Sequence, residues 1–297
     1  MEFAGLIKFL GNNFLFSTVI ILITFILGWI LYNHVVIRGI CLKDALFEKD
    51  NLAAWVEFIG AFIYPALYLA AKSIEGSASD NILLDLLICV GYVVSYVLIF
   101  TVLRLLAGTV VKLLDSEDHE GKISLNREIY SQKNIAAALF SSALSIIFVN
   151  VVKFLDILPG YFLTSVYKML IILLFTLIAL VAYMLLLRNK TTLFKEIFID
   201  NNIAAGVCFA GFVFAIQLIL GSLTELQVEF DFAGLLSMSA ISLVLFGVLS
   251  ILFKWLFTRM IKVDVWKEVY EQNNIGAALG QIALYVGIAN VIVHFIK

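Results

Sequence analysis

A ten-residue pattern occurs four times in this chain, each time at the mouth of a strongly apolar segment. The copies are residues 45–54, 128–137, 196–205 and 268–277. In each, an aromatic residue (Phe47, Tyr130, Phe198, Tyr270) stands four positions before an asparagine (Asn51, Asn134, Asn202, Asn274), and small residues follow. Three copies begin with a glutamate, Glu128, Glu196 and Glu268, where the first has Ala45. Four copies of one helix-entry signal make the chain a repeated helical hairpin, which constrains topology more tightly than hydropathy does. The asparagines are spaced by 83, 68 and 72 residues. First to third is 151 and second to fourth is 140, so the chain also divides into two four-helix halves, 1–158 and 159–297. Pro159-Gly160 is the natural boundary.

The segments that follow the pattern belong in a bilayer. Hydrophobic residues are 63% of the 297 and charged residues 14%, against roughly 45–50% and about 25% in soluble domains. Several apolar runs reach the roughly 20 residues that a membrane helix needs. The expected spans are Phe14–Val36, Leu52–Ala71, Ile82–Leu105, Ile135–Val152, Tyr161–Leu187, Ile203–Leu220, Phe232–Phe257 and Ile275–Ile296. The first is read as a retained helix, since Met1–Asn13 has one Lys and leads into a long apolar run without a clear small-x-small cleavage site. The fold expected is an all-α integral membrane protein of eight transmembrane helices.

Basic residues give the orientation. Fifteen of the twenty Lys and Arg lie in the loops after the first, third, fifth and seventh spans, or in the last turns leading into them. The tails and the other loops hold only Lys8, Lys72, Lys153 and Lys297, and Lys168 falls inside the fifth span. This bias places the motif loops in the cytoplasm and both termini outside, N-out and C-out. The loop with Glu225, Glu229 and Asp231 and no basic residue fits an external position. Every copy then enters the membrane in the same sense, so the four hairpin repeats are parallel and not inverted.

The motif has three physical readings: a helix cap, a ring around a vestibule, and a docking surface for partners. Asparagine is a favoured N-cap, because its side-chain oxygen accepts a backbone N–H left free in the first turn, and free donors near a bilayer are costly. The preceding segments, Asn126–Lys133 and Trp266–Asn273 among them, suit short interfacial helices with Tyr130, Phe198 or Tyr270 facing lipid headgroups. Gly276 with Gly280, and Gly206 with Ala210, form small-xxx-small pairs for close helix contact. In the second reading, Asn51, Asn134, Asn202 and Asn274 with Glu128, Glu196 and Glu268 ring a cytoplasmic vestibule that selects cations.

Polar groups inside the spans favour the even-numbered helices as the interior ones. Glu57 stands about 9 Å into the second span, Ser141 and Ser145 share a face of the fourth, Gln217 is in the sixth, and Gln281 and Asn290 are in the eighth. An intramembrane ionisable group is a functional candidate by default, which singles out Glu57; a neutral glutamate bonded to a neighbouring helix is the structural alternative. Pro65 removes a backbone bond and kinks the second span. Asp115–Glu120 is an acidic run in the longest cytoplasmic loop. Cys41, Cys89 and Cys208 and the three histidines are scattered and form no metal or disulfide pattern. No catalytic motif occurs and no basic patch suggests nucleic acid, so the expectation is a non-enzymatic protein without a cofactor.

The Glu-x-aromatic-x-x-x-Asn-Ile-Ala-Ala element resembles the bacterial family called domain of unknown function 350, which includes YjfL-like inner-membrane proteins. The likeness rests on Glu128, Asn134, Ala136 and Ala137, on Glu196, Asn202, Ala204 and Ala205, and on Glu268, Asn274 and Ala277. It departs at Ala45, at Gly276, and at Trp55 with Glu57. The resemblance implies two four-helix units in tandem in a bacterial cytoplasmic membrane, and it implies no activity. Two functions remain open. A channel or transporter for ions or small solutes requires Glu57, Gln217 and Gln281 to converge on a hydrated cavity. A scaffold for cytoplasmic protein partners requires the motif loops to form an exposed surface. Homo-oligomers fit the small-residue faces in either case.

Overall fold

The architecture follows from hydropathy and from the bilayer's demand that every backbone polar group be satisfied within its own segment. In a computed structural model, which describes residues 3–74, 81–114, 123–153, 162–187, 191–225 and 232–296, the described residues are helical or in short connections, with no strand among them. Eight helices are long and apolar enough to cross a membrane: Phe14–Val36, Leu52–Lys72, Ile82–Leu113, Ile135–Val152, Leu163–Leu187, Ile203–Thr224, Phe232–Ile261 and Ile275–Ile296. The protein is a multi-pass helical membrane protein. The third and seventh spans run past their expected ends at Leu105 and Phe257, to Leu113 and Ile261. Pro159-Gly160, the Asp115–Glu120 run, Glu229 and Asp231 lie outside the described residues.

The helices pack as two compact units, residues 1–133 and 134–297. In the first, the first three spans pack pairwise on one another. In the second, the sixth span is the hub: it packs most extensively on the eighth and the fourth, and the fifth and seventh lie against it as well. The fourth span, Ile135–Val152, thus packs with the second unit, whereas the sequence halves assign it to the first. The second, fourth and sixth spans are 56%, 44% and 67% buried over their most apolar windows, against 17%, 28%, 39% and 22% for the odd-numbered ones. The eighth departs from this alternation at 28%, because its face with Gly276 and Gly280 borders a groove of about 710 Å³.

Close approach in the second unit depends on glycine. A Cβ on Gly206 would stand 2.8 Å from the Ala136 Cα, and one on Gly211 2.2 Å from the Ile282 side chain. Two spans of the first unit carry π-helical turns, at Tyr32–Val36 and Val56–Ile63. In the second span the π turns end immediately before the helix that contains Pro65, where the proline has no N–H to give.

Candidate functional site

Each motif copy folds in the same way. One π-helical turn (Asp44–Glu48, Arg127–Ser131, Lys195–Ile199, Lys267–Glu271) is followed, one residue before the asparagine, by a left-handed residue. These residues are Asp50, Lys133, Asn201 and Asn273, with φ of 46°, 55°, 51° and 52°. Asparagine and aspartate tolerate that region best, so Lys133 is the strained member. The reversal turns the chain into an extended residue, and the asparagine side chain then accepts the N–H three residues on. The acceptor bonds are Ala54 to Asn51 at 3.2 Å, Ala137 to Asn134 at 3.0 Å, Ala205 to Asn202 at 2.9 Å and Ala277 to Asn274 at 3.1 Å.

The amide nitrogen makes a second bond that no local rule suggests. Asn51 donates to the Ile129 carbonyl at 2.8 Å, Asn134 to Ile197 at 2.7 Å, and Asn202 to Val269 at 3.1 Å. Each acceptor lies five residues before the asparagine of the following copy. The first copy's own carbonyl at that position, Leu46, takes the Trp55 indole N–H at 3.1 Å instead. Glutamate closes the arrangement, with Glu196 accepting from the Asn202 amide at 2.7 Å and Glu268 from Asn274 at 2.8 Å. Asn51, Asn134, Asn202, Glu128 and Glu196 are buried, while Asn274 is exposed and Glu268 half-buried. Asn51, Asn134 and Asn202 tie each helix entry to the turn of the following copy, and the fourth copy is the one whose polar groups border a groove.

The aromatic position corrects the interfacial expectation. Tyr130, Phe198 and Tyr270 are buried and face no headgroup; Phe47 is the exposed one. For the two tyrosines burial is possible because a hydroxyl partner waits inside, and Phe198 packs on Phe140 and Phe194. Tyr130 donates at 3.0 Å both to the Tyr32 hydroxyl and to Glu57, and Tyr32 donates to the same Glu57 oxygen at 2.5 Å. Arg104 from the third span forms a charge-assisted bond with the other Glu57 oxygen, and its second nitrogen donates to Asn126 at 2.8 Å. Asn126 in turn donates to the Val36 carbonyl at 2.9 Å. Glu57 is fully buried and Arg104 nearly so. Burial, with the neighbouring Tyr32 and Glu57 charges adding to it, holds the Tyr130 phenol well above its ordinary pKa. Glu57 is therefore one half of an ion pair, where the sequence left open a functional ionisable site and a neutral glutamate bonded to a neighbouring helix.

The second unit carries the same geometry with different chemistry. Tyr183 stands 19 residues before Asn202, as Tyr32 stands 19 before Asn51, and its hydroxyl meets that of Tyr270 at 2.7 Å. Cys208 occupies the position six after Asn202 that Glu57 holds after Asn51. Lys254 lies 5.5 Å from the centre of the Trp266 ring, and Trp266, like Asn126, stands eight residues before its asparagine. A carboxylate in one unit thus corresponds to a thiol in the other, while the cations, Arg104 and Lys254, stand 53 and 52 residues after Asn51 and Asn202 and are one position out of register.

Gln217 and Gln281 do not meet. Gln217 donates to Thr176 at 2.7 Å and accepts from Asn150 at 3.1 Å. Gln281 donates to Tyr285 at 2.5 Å, takes the Cys208 thiol at 3.5 Å and lines the groove beside Gly276. Sequence reading missed Arg104, Asn126, Tyr32 and Asn150. Arg104 is an ionisable residue between leucines, but orientation rules group it with the loop cations. No group of three or more His, Cys, Asp or Glu that could hold a metal is assembled among the described residues.

A family profile described as Domain of Unknown Function (DUF350) matches residues 1–154 and 156–296, nearly the whole chain in two segments. The chain belongs to the DUF350 family. No curated protein and no solved structure matches it. The two DUF350 segments divide the chain between the fourth and fifth spans, while the compact units divide it before the fourth. The DUF350 repeat in sequence and the packing unit in space are therefore different partitions of one chain.

Proposed function

We propose that this DUF350 protein moves ions or small solutes across a bacterial cytoplasmic membrane. It does so as four parallel hairpin repeats with both termini outside, without enzymatic chemistry and without a cofactor. The observation that carries this reading is the Glu57–Arg104 pair on membrane spans, with the Tyr32 and Tyr130 hydroxyls on the carboxylate. Burying two charges costs several kcal/mol per ion before pairing, and apolar residues of equal volume would pack a static core at lower cost. A pair with two hydroxyls at hand can part and re-form as a charged solute passes. Beside Arg104 lies a cavity of about 270 Å³, lined also by Thr109, Lys112, Ser124 and Asn126 and, among the described residues, by no acidic one. That lining favours a small anion at the point of entry. The clustering of basic residues in the motif loops supports the orientation, and the common fold of the four motif copies supports the repeat.

The test is flux in liposomes that hold the purified protein, wild type beside Glu57→Gln and Arg104→Gln, over a panel of small anions, alkali cations and protons. Flux that both substitutions change supports the reading and its site. Flux indifferent to both keeps transport and removes the site. No flux across the panel overturns transport.

A second reading is a scaffold for cytoplasmic proteins or for further copies of the chain. It draws on the fourth motif copy, where exposed Asn274 and half-buried Glu268 border the 710 Å³ groove. Purification from native membranes, wild type beside Asn274→Ala, tests it by loss of co-purifying protein.

A further inference from the structure

The even-numbered spans of the second unit stack through one recurring face. The fourth span meets the sixth at the positions two, six and sixteen residues after Asn134. There Ala136 lies under Gly206, Phe140 stacks on Phe209 with ring centres 5.3 Å apart, and Asn150 donates to the Gln217 carbonyl at 2.7 Å and to its side-chain oxygen at 3.1 Å. The sixth span meets the eighth through the same face, two, six and nine residues after Asn202. The Ala204 N–H donates to the Asn273 side chain at 2.9 Å, the Cys208 thiol lies 3.9 Å from the Ala278 carbonyl, and Gly211 lies against the Ile282 side chain.

On the eighth span the same face carries Gly276, Gly280, Ala283, Gly287 and Asn290, two, six, nine, thirteen and sixteen residues after Asn274. All five are exposed, and a Cβ on Gly280 or Gly287 would meet nothing within 4 Å. Asn290 stands about 24 Å along the helix from Asn274, within a hydrocarbon core about 30 Å thick. Its counterpart Asn150 is satisfied by the next helix in the stack, whereas no described residue of the chain bonds the Asn290 amide. Lipid offers that amide nothing to bond. What covers this face therefore brings a helix backbone close and a hydrogen-bonding group at the level of Asn290.

A second copy of the chain has two ways to do so. Its first motif copy would extend the stack, but that copy is closed. Trp55 stands four residues after Asn51, where Gly206 makes its close approach four after Asn202, and the indole already donates to the Leu46 carbonyl at 3.1 Å. The eighth span suits itself. Its five positions alternate in steps of four and three, the seam of two parallel helices. Four of them are glycine or alanine, which lets backbones approach. A two-fold axis along the membrane normal sets each residue against its own copy, so Asn290 faces the partner's Asn290, and each amide donates to the other's oxygen. We propose that two copies of this protein pair through their eighth spans, along Gly276, Gly280, Ala283 and Gly287, with a reciprocal amide bond at Asn290. This deepens the second reading by making the partner a further copy of the chain, and it needs neither flux nor a cytoplasmic protein.

The experiment is oxidative cross-linking of the full-length protein in native membranes, in a Cys41→Ser background that removes the exposed native thiol. Gly287→Cys is expected to give a disulfide-linked species of twice 33.1 kDa, at least tenfold more than Leu177→Cys at an exposed position of the fifth span. Adding Asn290→Leu or Ala283→Leu to Gly287→Cys should cut that species at least fivefold. In a monomer either leucine faces lipid, so both variants should fold, with the helix content of the parent. Equal cross-linking at Gly287→Cys and Leu177→Cys would overturn the proposal as chance collision. So would the lack of a linked species, or a yield that survives either leucine. A linked species of another mass would overturn it and keep the second reading, since the partner is then a different protein.

Discussion

Tyr183 and Tyr270 share a hydroxyl–hydroxyl bond of 2.7 Å, in the register that Tyr32 and Tyr130 occupy at 3.0 Å in the other unit. The scaffold around these pairs is common to both units, and the charged groups beside them are not.

Glu57→Gln leaves Arg104 buried beside a neutral amide. Removing one partner of a buried ion pair costs about 3–5 kcal/mol. The double variant Glu57→Gln/Arg104→Leu is expected to recover most of that loss, because it leaves no uncompensated charge. Thermal unfolding in one detergent, on the wild type, both single variants and the double variant, completes the cycle. Additive losses would mean that the pair is not coupled.

Asn202→Ala removes a helix cap, costing about 1 kcal/mol, and also leaves the Val269 carbonyl and Glu196 without their donor, at about 1–3 kcal/mol for a buried group. Asn274→Ala removes the cap at an exposed site. The first variant should therefore unfold well below the second in temperature. Equal shifts would reduce the asparagine to a cap alone.

Gly206→Ala would drive a methyl group into the Ala136 backbone, and overpacking of this kind costs about 1–3 kcal/mol. Gly280→Ala meets nothing within 4 Å and should be neutral or stabilising, by up to about 1 kcal/mol from helix propensity. Melting temperatures of the two variants in parallel check the contrast.

Tyr130 should titrate late. Burial first, then the Tyr32 and Glu57 charges, raise its pKa well above 10.0. A folded-state value above the unfolded one means that its contribution is whole below pH 10 and is lost as pH rises through the folded value. Tyr130→Phe removes that alkaline loss. Absorbance near 295 nm, wild type minus variant, should therefore lack a phenolate step until well above pH 10, and a step at the ordinary value would contradict the burial.

The motif also marks where sequence reading stops. Asn51 can be read as a helix cap, because it directly precedes an apolar run. Its bond to Ile129 cannot be read, since 78 residues separate them. Tyr130 looks like an interfacial aromatic when only its neighbours Ile129 and Ser131 are weighed. The hydroxyl of Tyr32, 98 residues away, is what lets it go inside. Arg104 looks like a loop marker because orientation rules count cations and not their partners.

The sequence by itself determined the membrane class, the eight spans and the family, because apolar length and a recurring local signal are carried by contiguous residues. Only the tertiary structure decided that Glu57 meets Arg104, that three of the four motif aromatics turn inward, and that the fourth span packs with the second unit. Those outcomes depend on which distant groups are close enough to pair in a medium where an unpaired charge or hydroxyl has no water to turn to.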